Sequence, residues 1–301
     1  MPASTTTDVS SRQIRPNLEL PGRRIGMTAP ELRARKGGEE PIVMVTAYDA
    51  PTARIADRAG VDLILVGDSV AMVVLGYDDT LQVTVADMAH HTAAVARARP
   101  EPMIIADLPW LSYHTGIDAA VTNAATLIRA GAQGVKLEGG RKRAAVVAAI
   151  ADVEIPVIGH LGLTPQSVHV MGGFKVQARQ LEAARALIDD AEALANAGCT
   201  AIVLEGVPDQ VARLITEAVP IPTIGIGAGP WCDGQVLVFH DVVGLDDRTA
   251  PKFVRRYADL EADAVTAVSE FAADVRSRKF PSDAESYHLT DDVSRALRDL
   301  T

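Results

Sequence analysis

The sequence LILVGDS (residues 63–69) sets the pattern of this chain, because four apolar residues in a row end in Gly67 and the ionisable Asp68. Four further runs have the same design, and they are PMIIADLPW (102–110), GVKLEGG (134–140), PVIGHLGLTPQ (156–166) and AIVLEG (201–206). The ionisable side chains at the five ends are Asp68, Asp107, Lys136 with Glu138, His160 and Glu205. Continuous apolar strands, unlike alternating ones, indicate a parallel sheet that is covered on both faces.

Strand candidates that alternate with helical stretches predict the fold class, which is α/β. Strands are expected at 42–46, 62–66, 102–106, 134–138, 155–159, 201–205, 222–226 and 236–240. Helices are expected at 28–36, from Pro51 to Gly60, and at 83–98, 117–130, 141–151, 180–197, 208–217 and 251–277. Eight strand and helix units match a closed (β/α)8 barrel, the TIM barrel, better than an open doubly wound sheet, which usually has fewer strands.

The chain divides into three segments on its composition. Residues 1–22 are polar and are expected to form a flexible tail, although a Ser/Thr-rich, acid-poor start also fits a transit peptide. Residues 23–280 are assigned to a single barrel domain, which the helix 251–277 would close. The acidic segment 281–301 is a C-terminal extension, expected to pack outside the barrel or on a neighbouring subunit.

Charge and cysteine content exclude several functions. The formal net charge is −10 without a block of Lys and Arg, so the sequence offers no electrostatic footprint for nucleic acid or an anionic membrane. No apolar run approaches the roughly 20 residues that span a bilayer. The two cysteines, Cys199 and Cys232, form no CxxC pair, which argues against a disulfide scaffold or thiolate zinc site and favours a cytoplasmic protein.

Three carboxylates are expected to meet at one end of the barrel. In a parallel barrel all strand C-termini point to the same face, so Asp68, Asp107 and Glu138 would surround a common space. Carboxylates without thiolates or a histidine cluster suit Mg²⁺ better than zinc, and a divalent cation would offset their mutual repulsion. The alternative is that each acid is a helix cap or a surface charge at a βα turn.

Each of the other strand-end residues has more than one interpretation. Lys136 and Glu138 leave the same face of one strand, so Lys136 could hold an anionic substrate oxygen, form a plain ion pair or act as a Schiff-base lysine. Glu205 could be a general base or cap the helix that starts near Pro208. His160 could donate a hydrogen bond to a substrate carboxylate or enolate, or be structural.

Several further features are given a structural role. His91 and His114 have no metal-ligand spacing, and Trp110 and Tyr113 are expected to pack rather than to bind. The run GIGAG (225–229) is neither a Walker loop nor a full GxGxxG, so it is a weak phosphate signal. In a barrel, such glycines more plausibly let a ligand approach the backbone.

Taken together, the longer motifs resemble one family. They are VTAYDAPTARIADRAGVDLILVGDS (45–69), ADLPW (106–110), GVKLEGG (134–140), GHLGLTPQSVHVMGGFKVQAR (159–179), VLEGVP (203–208) and GIGAGPWCDGQVLVFHD (225–241). In this order, over about residues 26–265, the chain is similar to the ketopantoate hydroxymethyltransferases. GHLGLTPQ and GFKVQAR are the most specific of these segments.

The resemblance implies a Mg²⁺-dependent TIM barrel of the phosphoenolpyruvate/pyruvate type. It implies transfer of a one-carbon unit from 5,10-methylenetetrahydrofolate to 3-methyl-2-oxobutanoate, which gives 2-dehydropantoate in pantothenate biosynthesis by way of a Mg-stabilised enolate. Members form homo-oligomers, commonly decamers. The folate-binding residues are not defined by any single residue type, and the loops after strands seven and eight are the candidates.

Carried over by motif, the resemblance also assigns roles to the strand-end residues. Asp68, Asp107 and Glu138 would be the metal ligands, and Glu205 would be the catalytic base. The oxoacid would be held by the substrate-binding residues Asp68, Ser69, Asp107, Lys136 and His160.

Three other functions stay open on the sequence alone. A related Mg-dependent C–C bond lyase of the same superfamily commonly uses a loop cysteine, and neither Cys199 nor Cys232 lies at a suitable strand end. A metal-free aldolase would use Lys136 as a Schiff base. A non-catalytic binding scaffold would show no chemistry on the oxoacid.

Overall fold

The computed structural model describes residues 26–246, 248 and 250–298, so the expected tail at 1–22 lies outside the described residues. Eight parallel strands form a closed barrel in which each strand pairs with the next and the last pairs with the first. The strands are β1 (Ile42–Thr46), β2 (Leu63–Val66), β3 (Met103–Asp107), β4 (Gly134–Glu138), β5 (Val157–Gly162), β6 (Ala201–Glu205), β7 (Thr223–Ile226) and β8 (Gly234–Leu237). The predicted TIM barrel is confirmed.

The helices alternate with these strands. They are α1 (Ala29–Ala34), α2 (Ala50–Arg58), α3 (Val70–Val73), α4 (Val85–Arg97), α5 (Ile117–Arg129), α6 (Ala144–Asp152), α7 (Val168–Met171), α8 (Leu181–Asn196), α9 (Asp209–Ala218), α10 (Phe239–Val243), α11 (Leu260–Arg276) and α12 (Asp291–Arg298). Short 3₁₀ turns lie at Arg141–Arg143, Pro165–Ser167 and Asp283–Glu285.

Side-chain caps fix where several helices begin. Thr28 and Glu31 form a capping box at the start of α1, since the Thr28 hydroxyl accepts from the Glu31 amide and the Glu31 carboxylate accepts from the Thr28 amide. Asp49 caps α2 and Thr84 caps α4 in the same way. Each cap satisfies an otherwise unpaired amide and stabilises its helix by about 1 kcal/mol.

Several predicted boundaries were wrong, among them that of β5, which spans Val157–Gly162 and not 155–159, and two of the differences have a visible cause. The strand expected at 236–240 ends at Leu237, because the Phe239 amide donates to the Thr46 hydroxyl at 2.9 Å and the chain turns into α10. The helix expected from residue 251 begins only at Leu260, where the Asp259 carboxylate accepts from the Ala262 amide and caps α11.

The barrel core has two layers. Inside the barrel, alternate strand residues such as Ile42, Leu63 and Ile105 pack together with Leu32 of α1, which is fully buried and closes the N-terminal end. The other strand face packs against the surrounding helices in a second, larger cluster. Apolar side chains thus fill the lower part of the interior, and the charged side chains occupy its C-terminal end.

The described residues form two compact units, which divide between Phe239 and His240. The first contains the barrel, and the second contains α11 and α12. The division at residue 280 between a barrel domain and an extension stays a prediction. Within the described part of the chain, no helix combines the length and apolarity needed to cross a membrane.

Candidate active site

The strand register places the predicted site residues side by side. Asp107 at the end of β3 is paired with Lys136 on β4, and Glu138 is paired with His160 on β5. Asp68 lies just beyond β2, separated from it by Gly67. All five side chains are at most 4% exposed. The barrel therefore gathers these residues at the C-terminal ends of its strands, where a parallel barrel carries its chemistry.

Lys136 and Asp107 form a buried ion pair. The Lys136 Nζ lies 2.8 Å from Asp107 Oδ1, and Asp107 Oδ2 accepts from the Asp68 amide at 3.0 Å. Burial alone lowers the pKa of Lys136, but the charges of Asp107, Glu138 and Asp68 outweigh it and the pKa is raised. Lys136 is therefore a fixed cation within the cluster.

His160 lies among three charged side chains. Its Nδ1 is 3.4 Å from Glu138 Oε1 and 3.3 Å from Lys136 Nζ, and its Nε2 is 3.2 Å from Glu205 Oε2. Burial and Lys136 lower the pKa of His160, but the carboxylates of Glu138 and Glu205 prevail and raise it to about 9. The carboxylates thus favour the protonated imidazole at neutral pH.

Among the acids of the site, Glu205 has the side chain most exposed to solvent. Its side chain is 15% exposed, whereas those of Asp107 and Glu138 are 2% and 3% exposed. The helix α9 begins after Pro208 without a side-chain cap, so Glu205 does not serve as its cap. This carboxylate is therefore placed where a small molecule could reach it.

Ser69 is oriented by Tyr48. The two hydroxyl oxygens are 2.8 Å apart, and the Tyr48 carbonyl oxygen lies 2.8 Å from His91 Nδ1. A Cβ atom on Gly67 would lie 2.8 Å from Ser69 Oγ and 3.5 Å from Asp107 Oδ2, so a larger residue would displace the Ser69 hydroxyl. His91 has the structural role predicted for it.

Gln166 joins two of the acids and was not recognised from the sequence. Its side-chain Nε2 donates to Asp68 Oδ2 at 2.8 Å, and its backbone amide donates to Glu138 Oε2 at 3.0 Å. Tyr113, expected only to pack, donates its hydroxyl to Gln166 Oε1 at 2.6 Å. The position of Gln166 just beyond a strand with a charged end, in the specific segment GHLGLTPQ, was the available signal.

The glycine-rich run GIGAG has a clear packing function. Gly227 and Gly229 have φ values of +62° and +77°, a conformation that favours glycine. A Cβ on Gly229 would lie 2.3 Å from the Cβ of Asp209, so this glycine permits close approach to the start of α9. A role in folate binding stays a prediction.

The carboxylates fit a divalent cation in chemistry and charge. Burial, followed by the charges of Asp107 and Glu138, raises the pKa of Asp68 well above its usual range. Glu138 Oε1 is buried without a hydrogen-bond partner in the described part of the chain. These hard oxygen donors outnumber the nearby cations and are of the type that Mg²⁺ prefers.

The arrangement is not a closed metal cage. Within residues 26–298, apart from 247 and 249, no group of three or more His, Cys, Asp or Glu residues has the spacing of a ready metal centre. Mg²⁺ usually takes one or two protein carboxylates and completes its octahedron with water and substrate oxygens. The residues therefore fit Mg²⁺ as an open site that substrate would complete.

A TIM barrel with acids, a lysine and a histidine at the C-terminal ends of its strands carries these side chains where TIM-barrel enzymes have their active sites. The sequence model of the family "Ketopantoate hydroxymethyltransferase" matches residues 26–283. The chain belongs to this family, as the resemblance predicted.

Individual relatives agree with the family match. The chain is 54% identical over 262 residues to the 3-methyl-2-oxobutanoate hydroxymethyltransferase of Moorella thermoacetica, covering 87% of this chain and 97% of that protein. It is 52% identical over 272 residues to the enzyme of the same name from Koribacter versatilis, covering 90% and 92%.

The fold is shared with more distant proteins. The crystal structure of 2,3-dimethylmalate lyase, described as a PEP mutase/isocitrate lyase superfamily member, superposes with a TM-score of 0.54 at 16% identity. The match covers 90% of this chain and 94% of that one. This similarity shows a shared barrel fold.

Proposed function

We propose that this chain transfers a hydroxymethyl group from 5,10-methylenetetrahydrofolate to 3-methyl-2-oxobutanoate, which gives 2-dehydropantoate for pantothenate biosynthesis. The names of its relatives support the reaction. The observation that carries the proposal is the buried cluster in which Lys136, three acids and the Glu205–His160 pair meet at the open end of the barrel.

The oxoacid would bind through its carboxylate and keto oxygens. Lys136 supplies a buried positive charge, and the Ser69 hydroxyl supplies a hydrogen bond. Asp68, Asp107 and Glu138 would hold Mg²⁺, which as a Lewis acid would stabilise the negative charge that develops on the keto oxygen. Asp68 and Asp107 would thereby also line the substrate pocket.

Glu205 would remove the proton from C3 of the oxoacid. The proton passes to its carboxylate, and the C–H electron pair forms the enolate. His160, whose Nε2 lies 3.2 Å from Glu205 Oε2, holds this carboxylate in position. The enolate carbon would then bond to the methylene carbon of the folate as one of its two C–N bonds breaks, and the oxygen of water would replace the second nitrogen. The proton from C3 and one proton of water end on these two nitrogens, so tetrahydrofolate leaves.

The geometry disfavours the two alternatives based on other nucleophiles. A Schiff-base lysine must present a neutral amine, whereas Lys136 is paired with Asp107 at 2.8 Å. A cysteine-dependent lyase needs a reactive thiol, whereas Cys199 is fully buried and Cys232 is 9% exposed. We also propose a cytoplasmic location, which the cysteine content favours, and a homo-oligomeric, decameric assembly, which the resemblance implies.

Exchange of the C3 proton of 3-methyl-2-oxobutanoate in deuterated water, followed by NMR, tests the proposal. We expect Mg²⁺-dependent exchange in the wild type and a loss of about 10²–10⁴-fold in Glu205→Gln. The control is Glu217→Gln, because Glu217 is 57% exposed on α9 and pairs only with Arg213 among the described residues.

Two outcomes would contradict the proposal in different ways. Exchange at the wild-type rate in Glu205→Gln would reject Glu205 as the base. A wild-type protein that catalyses neither exchange nor formation of 2-dehydropantoate with Mg²⁺ and the folate would reject the function itself.

A further inference from the structure

We infer that Gln166 is a positioning residue that, together with Tyr113, holds Asp68 and Glu138 in the geometry required for the divalent cation. The inference rests on the proposed function. Gln166 and Tyr113 do not contact the reacting atoms and act through the carboxylates of Asp68 and Glu138.

The contacts of Gln166 reach acids from two different strands. Its Nε2 donates to Asp68 Oδ2, beyond β2, and its backbone amide donates to Glu138 Oε2, at the end of β4. Gln166 is 5% exposed and lies in the 3₁₀ turn after β5. In that turn Pro165 comes first and the Ser167 amide donates to Thr164, so the Gln166 amide remains available for Glu138.

The neighbouring groups determine the orientation of the side-chain amide of Gln166. Its Nε2 also donates to the Leu108 carbonyl oxygen at 3.0 Å. The Leu108 carbonyl oxygen can only accept a hydrogen bond, so the NH₂ group must point toward Leu108, and the same group then also faces Asp68. Oε1 therefore faces Tyr113, whose hydroxyl donates to it at 2.6 Å and accepts from the Glu138 amide at 3.2 Å.

The three acids differ in how they are held. Asp107 is fixed by Lys136 and by the Asp68 amide, so it does not depend on Gln166. Among the described residues, Gln166 donates a hydrogen bond to each of the carboxylates of Asp68 and Glu138, and the other Glu138 oxygen lies 3.4 Å from His160 Nδ1. Two buried acids that repel each other need such donors to keep one rotamer before a cation arrives.

The experiment compares Gln166→Met, Gln166→Glu and Tyr113→Phe with the wild type. Free Mn²⁺ is measured by electron paramagnetic resonance during a titration of each protein without substrate, and Mg²⁺ competition tests that the site is shared. Loss of an outer partner of a metal ligand typically weakens metal binding by about 10–100-fold, and we expect this for Gln166→Met.

The other two variants separate the hydrogen bonds from side-chain volume. Gln166→Glu keeps the size but replaces a donor with an oxygen facing Asp68 and Leu108, so it should weaken Mn²⁺ binding at least as much as Gln166→Met. Tyr113→Phe loses one hydroxyl, keeps the core filled and should weaken binding about fivefold.

Thr92→Val is the matched control, because Thr92 is a fully buried polar residue of α4 that contacts none of these acids. It should leave Mn²⁺ affinity unchanged.

In the proton-exchange assay, Gln166→Met and Tyr113→Phe should require more Mg²⁺ for half-maximal rate and recover much of the wild-type rate at saturating Mg²⁺.

The results distinguish the inference from the function on which it rests. If the wild type binds Mn²⁺ and catalyses exchange, but the Gln166 and Tyr113 variants bind Mn²⁺ as tightly, the inference is wrong and the function stands. The same holds if these variants lose thermal stability without losing Mn²⁺ affinity. If the wild type neither binds Mn²⁺ nor catalyses exchange, both fail.

Discussion

Replacement of Lys136 by Met tests the electrostatics of the site most directly. The substitution keeps a long apolar stem and removes the charge that lies 2.8 Å from Asp107 Oδ1. Asp68, Asp107 and Glu138 then remain buried with His160 as the nearest cation. We expect the metal-free protein to lose much of its stability.

The size of the loss follows from the distance and the burial. Two unit charges 2.8 Å apart attract each other by about 6 kcal/mol at an effective dielectric constant of about 20. Removing one partner of a buried pair costs about 3–5 kcal/mol, since the remaining charge is left uncompensated. We therefore expect Lys136→Met to lower the free energy of unfolding by about 3–5 kcal/mol.

Urea denaturation with and without Mg²⁺ measures this loss. A cation at about 100 times its dissociation constant adds roughly 2.7 kcal/mol of stability, so Mg²⁺ should restore a large part of the deficit. The control is Lys142→Met, because Lys142 is exposed in the turn before α6, and it should change the stability by less than about 0.5 kcal/mol.

The deficit should also depend on pH. Burial already raises the pKa of Asp107 against the opposing effect of Lys136, and loss of Lys136 raises it further. A carboxyl whose folded-state pKa lies above its unfolded value loses its stabilising effect as pH rises, so the deficit should be larger near pH 8 than near pH 5. A Lys136→Met protein within about 1 kcal/mol of wild type near pH 8 would refute this reasoning.

Three further predictions concern single side chains. Gly67→Ala should reduce kcat/KM for the oxoacid about tenfold or more, because the Cβ of the new alanine would lie 2.8 Å from Ser69 Oγ. Unchanged kinetics would show that Ser69 moves without effect. Thr92→Val should raise the free energy of unfolding by about 1 kcal/mol, because the buried Thr92 hydroxyl has no hydrogen-bond partner among the described residues. Urea denaturation measures the change, and a loss of stability would contradict the prediction. Burial raises the pKa of the Cys199 thiol to about 12, so Cys199 should resist alkylation in the native protein and react in urea. Mass spectrometry measures the labelling, and rapid labelling of the native protein would contradict the burial of Cys199.

The strands were predictable because their apolar runs are continuous and end in glycine, proline or a charge. The β1, β4 and β6 ranges agree with the structure residue for residue. The end of β8 was not predictable, because it depends on a hydrogen bond between Phe239 and Thr46, which are far apart in the chain. Sequence periodicity does not report such contacts.

The charged residues of the candidate site were predictable for the same reason. Each lies at a strand end, and the closure of a parallel barrel brings those ends together. Gln166 and Tyr113 were not, because an uncharged glutamine in a loop and a single tyrosine have no distinctive spacing. Their importance lies in a network that joins the turn after β5 to acids of two other strands.

The sequence by itself determined that this chain builds parallel strands with charged ends, and which side chains those ends carry, because hydrophobic pattern and residue type are local properties. The tertiary structure decided how the charges are shared: Lys136 pairs with Asp107, His160 with Glu205, and Gln166 with two acids at once. Those choices depend on distances of a few ångströms between residues from different strands, and only the closed barrel fixes them.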